Sequence, residues 1–212
     1  MQRPLSIFAS SIFAVVWLLS SVGNLLGQEQ NTDELRKQAY RQWFDVAQGR
    51  AEFDIADPTL VPTQLAAAAT QSGCRWRDVI AQVPVHVFKI DRRRFAKVTC
   101  FGFGYQQQIY DLSQLTNPRA LQFPVVSWPA GFATTSSLGA ITWNPESKLL
   151  ESVGTSDLCG QPNIRHTYRW INSDFSIIRI ELSRDNCGSE EPWQTIWEAP
   201  QWSSLTPNWN DR

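Results

Sequence analysis

IRHTYRWINSDFSIIRIELS, running from Ile164 to Ser183, is the stretch whose reading decides the fold. Two β-rich runs, Ile164 to Ile171 and Phe175 to Ser183, flank a polar turn near Ser173, which predicts an antiparallel hairpin. Asp157-Leu158-Cys159-Gly160 stands before it and returns 28 residues later as Asp185-Asn186-Cys187-Gly188. If residues whose numbers sum to 346 face each other, Ile171 opposes Phe175 around a three-residue loop and Cys159 opposes Cys187. Strict alternation then sets Ile178, Ile180 and Leu182 on one face. Phe175, Ile177, Arg179 and Glu181 fall on the other.

A disulfide at the base of this hairpin, Cys159 to Cys187, leaves Cys74 and Cys100 to form a second. Four cysteines behind a signal peptide form the pattern of a disulfide framework. Zinc is the rival use of four thiols, but no C-x-x-C spacing occurs, so neither metal nor other cofactor is expected.

Export is read from residues 1–27. Arg3 gives a positive start, Ile7 to Leu19 an apolar run broken by Ser10 and Ser11, and cleavage sites after Gly23 or Gly27 follow. The segment from Leu5 to Leu26 is nearly long enough for an uncleaved anchor; Ser20, Ser21, Gly23 and Asn24 favour cleavage. The mature chain is therefore expected to be periplasmic or secreted, touching a membrane only if that segment is retained. Without residues 1–27 it carries 18 basic and 20 acidic residues, a charge of -2. That near-balance argues against nucleic acid, because phosphate binding needs a basic face. The one basic run, Arg92-Arg93-Arg94, reads as a solvated turn.

Along the mature chain, residues 28–82 read as a helical segment, 83–199 as an antiparallel β domain and 200–212 as a tail containing Pro200, Pro207, Trp202 and Trp209. A capping-box-like Asn31 and Glu34 start a helix from Asn31 to Gln48 whose Leu35, Ala39, Trp43, Val46 and Ala47 recur at helical spacing. Arg50 to Pro62 reads as a connection, and Thr63 to Gln71 as a second helix stopped by Gly73, so that Cys74 staples its end to a sheet. Strands are predicted at Val83 to Ile90, Phe95 to Phe101, Gln107 to Leu112, Leu121 to Trp128, Gly139 to Trp143, Leu149 to Val153 and Trp193 to Glu198. Asn144-Pro145-Glu146-Ser147 reads as a turn. The fold class is α+β, mainly β: short N-terminal helices followed by hairpins stapled by two disulfides.

No residue is assigned to catalysis. The two histidines, His86 and His166, fall inside predicted strands, and G-x-S-x-G, H-E-x-x-H and P-loop motifs are missing. Phe101-Gly102-Phe103-Gly104-Tyr105 lacks the lysine and following helix of a phosphate loop and reads as a strand end. Nine tryptophans lie outside the leader. Trp193 and Trp197 would share a face of an ideal strand, and Trp202 and Trp209 lie in the tail; these four are the binding candidates.

Cys100 followed by Gly104-Tyr105-Gln106, then Asp157-Leu158-Cys159-Gly160, then Trp170 with Phe175 five residues on, then Cys187-Gly188 before Trp193 stand in a suggestive order. This order resembles the C-terminal part of the bacterial "domain of unknown function 1176" family of secreted envelope proteins. The matching family motifs are Gly-Ala-Tyr-Asn, Gly-Asp-Cys-Gly, Trp-Asp-Gly-x-x-Phe and Cys-Arg-Gly with a later Trp. Here Leu158 separates Asp157 from Cys159, and the Trp-Asp-Gly turn is Trp170-Ile171-Asn172. The resemblance implies a periplasmic setting and no known reaction. The expected function is non-catalytic binding of an envelope component or protein partner. The alternative is a small cell-wall carbohydrate hydrolase using Asp157, Asp185 or Glu181, which would need two carboxyl groups roughly 5 to 9.5 Å apart, one with a raised pKa.

Overall fold

Residues 32–102, 104–127, 131–154, 162–184 and 191–200 are described by a computed structural model. The leader, Cys159, Cys187, Asp157, Asp185, Trp202 and Trp209 lie outside these residues, and with them the expected hairpin-base disulfide.

Helix α1, residues 32–47, buries Ala39, Trp43 and Ala47, one stripe at intervals of four. Its chain then turns through Gln48 and Gly49, both at positive φ, into β1 (Phe53–Ile55). Helix α2 (Thr63–Gln71) follows Pro62, and Gln42 of α1 caps it: Gln42 Oε1 accepts from the Thr63 N–H and its Nε2 donates to Thr63 Oγ1, each at 3.0 Å. At the other end, the Gly73 N–H bonds the Thr70 carbonyl and the Cys74 N–H the Ala69 carbonyl, the two bonds of a Schellman cap. Gly73 takes the left-handed φ of +78° that this cap requires. The cap delivers Cys74 to the sheet, where it is bonded to Cys100 across a Cα–Cα distance of 4.9 Å. The pairing of Cys74 with Cys100 and the staple between helix end and strand are both as expected.

Sheet 1 is an antiparallel meander, β1, β2 (Val85–Ile90), β3 (Arg93–Gly102), β4 (Gly104–Asp111) and β5 (Arg119–Ala120) in that order. Both its faces are buried. Val85, Val87, Ala96, Val98 and Cys100 pack under the helices with Trp43, Leu65 and Trp76. Alternate residues Phe88, Ile90, Phe95 and Ile109 pack the other way, against Ile141, Leu150, Tyr168, Trp170 and Phe175 of sheet 2. Sheet 2 runs β12 (Gln194–Glu198), β11 (Asp174–Arg184), β10 (Pro162–Ile171), β9 (Leu149–Gly154), β8 (Ala140–Asn144). The molecule is thus three layers, helices, sheet 1 and sheet 2, with a core on each side of sheet 1. A two-stranded ribbon, β6 (Phe123–Ser127) and β7 (Gly131–Thr135), completes it.

The decisive hairpin forms, with one correction. Its outer half keeps the expected register, from Pro162 opposite Arg184 to Thr167 opposite Arg179. Tyr168 then pairs with Ile177, so Ile178 is an extra residue, and the loop is the two-residue turn Asn172-Ser173 with φ of 52° and 67°. The bulge resets the alternation. Phe175 and Ile177 lie on the same face as Ile180 and Leu182, toward the core, while Arg179 and Glu181 face outward. A single phase of two cannot serve a strand whose apolar residues are Phe175, Ile177, Ile178, Ile180 and Leu182; one residue must be absorbed for both halves to bury their side chains.

Further differences concern short or distant pairings. Arg50 to Pro62 is more than a connection, since Phe53-Asp54-Ile55 adds strand β1 to sheet 1 with Phe53 and Ile55 buried. The short strands Arg119–Ala120 and Gly131–Thr135 carry no long alternating pattern and were not expected. Arg92-Arg93-Arg94 is not simply a solvated turn: only Arg92 lies in the turn, and β3 starts at Arg93. Arg93 pairs with Asp111, donates to the Ser173 carbonyl at 2.6 Å and lies over the rings of Phe95 and Trp170. Beside it, Asp91 accepts from Trp170 Nε1 at 3.0 Å and pairs with Lys148 at 2.7 Å. Three turns, at Asp91, Lys148 and Asn172-Ser173, are thereby tied together at one end of the two sheets. The Asn144 to Ser147 turn forms as read, with Asn144 Oδ1 accepting the Glu146 and Ser147 N–H groups.

At the start of β8, a Cβ on Gly139 would lie 2.0 Å from the Val153 carbonyl oxygen. Gly139→Ala must push β8 away from β9 and is expected to cost about 1–3 kcal/mol, read by urea denaturation.

Candidate functional site

The ribbon lies over the inner face of sheet 2, held by side chains of β10. Tyr168 Oη donates to the Pro124 carbonyl at 2.9 Å, and the Val126 N–H donates to His166 Nε2 at 2.9 Å. Phe123, fully buried, meets Tyr168 and Phe175 at centroid distances of 5.2 and 5.6 Å and anchors the start of the ribbon. Beyond that anchor the two surfaces part. A cleft of about 400 Å³ opens between them, with Ser127, Ala133 and Thr135 on the ribbon side and Ser152, Ile164 and His166 on the sheet side.

His166 is 6% exposed and sits directly opposite Ser152 in the ladder. Because Nε2 accepts a backbone N–H, the ring is neutral with its proton on Nδ1. Burial pushes its pKa below the ordinary imidazole value. An imidazole placed this way holds the ribbon; its Nε2 lone pair is already used and is no base for Ser152. A depressed folded pKa means that stability present above about pH 6.5 is lost as the pH falls below it. His166→Phe leaves the Val126 N–H without its acceptor and is expected to cost about 1–3 kcal/mol and to flatten the loss below about pH 6.5, measured by denaturation across pH.

His86, on β2, has another environment. Its Nδ1 is 2.7 Å from Asp54 Oδ1 of β1, and its ring stacks on Phe88 at 5.8 Å. Asp54 and His86 are direct ladder partners, an arrangement invisible in sequence because β1 itself is so short.

Among the tryptophans, Trp193 and Trp197 do not form a shelf. Between them β12 carries a bulge at Ile196: Trp197 pairs with Ile180 of the core-facing set, while Thr195 pairs with outward-facing Glu181. Trp193 stacks instead under Arg165 at 4.5 Å on the outer face, so the two indoles lie on opposite sides of the sheet. Arg165 also binds Glu181 at 2.8 Å, and Arg179 lies 3.4 Å from the same carboxylate. The hydrogen bond from Arg165 holds the Glu181 carboxyl below its ordinary pKa, the reverse of what a general acid needs. No group of three metal-ligating side chains converges among the described residues. Likewise, no helix among them is long and apolar enough to cross a membrane.

Comparison with known protein families, with curated proteins and with solved structures finds no match.

Proposed function

We propose that this protein is an exported, non-catalytic binding domain of a bacterial envelope, taking an envelope component or a protein partner in the cleft between the β6–β7 ribbon and sheet 2. The observation that carries the reading is the use of His166. The only imidazole in that cleft spends its Nε2 on the Val126 N–H, leaving hydroxyl and backbone groups, which hydrogen-bond a ligand without activating it. Export is supported by the apolar leader and by the Cys74–Cys100 disulfide, which suits an oxidising compartment. The ion pairs of Glu181 with Arg165 and Arg179 speak against that residue as a general acid.

The test uses residues 28–212, purified with disulfides intact, in a retention assay on envelope extract and on peptidoglycan. Ala133→Trp, which fills the cleft from the ribbon, should lower retention roughly tenfold, the loss of about 1.4 kcal/mol of contact. Release of reducing ends that disappears in Asp157→Asn would replace binding with hydrolysis. Non-reducing peptide mapping is expected to recover Cys159 linked to Cys187; a mixed link to Cys74 would break the hairpin argument.

A further inference from the structure

A second cleft, away from the ribbon, opens where β1, β2 and β3 pass the β8–β9 turn. Its volume is about 400 Å³, and Glu52, His86, Phe88, Lys97, Trp143 and Pro145 line it. The polar part is a row across sheet 1. Asp54 of β1 pairs with His86 of β2, and His86 pairs with Lys97 of β3, all on the face turned toward sheet 2. Past Lys97 the row enters the apolar core at Ile109 of β4. Lys97 is therefore half-buried, and its ammonium has neither a hydrogen bond nor an ion pair within 4.0 Å among the described residues. Asp54, the nearest acid in this row, is spoken for by His86 Nδ1. Because that bond places the ring proton on Nδ1, Nε2 of a neutral His86 is an acceptor, and Lys97 is the donor of the row. Phe88 and Trp143, with centroids 6.2 Å apart, give the cleft an aromatic wall.

A half-buried cation with no direct ion pair, beside an aromatic wall, describes a receptor for one kind of molecule. We infer that this cleft binds a small carboxylate with a flat apolar body, its anionic end on Lys97 and its body against Phe88 and Trp143. Glu52, exposed just before β1, sets the limit: a second negative charge on the ligand meets it. Burial lowers the Lys97 pKa while Asp54 opposes that shift, so a bound carboxylate would replace solvation the ammonium has lost. The groups facing Lys97 are Asp54 of β1, His86 of β2 and Glu52 at the entrance; β8 contributes the uncharged Ile141, Thr142 and Trp143.

The site is separate from the ribbon cleft and stands or falls without it. NMR titration of the disulfide-intact protein with phenylacetate, and in parallel with its neutral amide, decides the matter. Phenylacetate should shift His86 and Lys97 resonances saturably and bind roughly tenfold tighter than the amide. Lys97→Met should remove that preference and Lys97→Arg restore it, the methionine variant serving as a folded control through its unchanged Phe88 and Trp143 signals. Equal binding of acid and amide, saturable shifts confined to other residues, no saturable binding, or full phenylacetate affinity in Lys97→Met would each overturn the inference.

Discussion

Phe175→Ala is expected to remove about 3–5 kcal/mol of stability, read as a lowered urea midpoint with little change in slope. The ring sits at the meeting point of the aromatic core, with centroids of Trp170 at 4.9 Å, Phe123 at 5.6 Å, Trp143 at 6.0 Å and Phe95 at 6.5 Å. These four neighbours come from β10, the ribbon, β8 and sheet 1, so truncation opens a cavity that no single element can close by moving. The prediction also tests the bulge. With strict alternation Phe175 would share a face with Arg179 and Glu181, and its loss would cost little; the extra Ile178 is what lets Phe175 join Ile180 in the interior. Phe175→Leu, which keeps most of the volume, should recover the larger part.

Replacing Cys74 and Cys100 together by alanine is expected to destabilise the protein by about 3.5 kcal/mol, because the bond closes a loop with a sequence separation of 26. That is a large share of the roughly 5–15 kcal/mol typical of a domain. Calorimetry should show a lower melting temperature for the double variant than for the native chain. The two sulfurs are buried in the core between helices and sheet 1, at 5% and 6% exposure, so reduction should require prior opening of α2 from β3. Unchanged melting after confirmed reduction would mean that the Schellman cap and the packing of Leu65 and Ala69 hold α2 unaided.

Local chemistry was legible and long-range chemistry was not. Thr63 to Gln71 is legible to its ends because Pro62 bars continuation on one side and Gly73 supplies the left-handed residue on the other. The same holds for the turn at Asn144, where a side chain bonds its own backbone two residues on. The bulges at Ile178 and Ile196 were not legible, since each is a negotiation between a strand and its partner. They reversed the faces assigned to Phe175 and to Trp193 against Trp197. The candidate sites show the same divide. His86 and His166 were correctly placed on strands, but their partners, Asp54 and Val126, lie 32 and 40 residues away, and no spacing rule connects them. A run of three arginines reads as solvated because it carries no sign of the carbonyl and rings that meet Arg93.

Within the two five-stranded sheets, each ladder joins strands that follow one another in the chain, from β1 to β5 and again from β8 to β12. This order bears on how the chain finds its fold. Each hairpin can close over a short loop before the next strand arrives, so each ladder extends an existing edge and avoids the entropic cost of joining distant segments. The later, slower event is the stacking of one finished sheet on the other, when Arg93 reaches the Ser173 carbonyl 80 residues away. On that view, mutations in the aromatic layer between the sheets should speed unfolding more than they slow folding, whereas mutations at the tight turns should act chiefly on the folding rate.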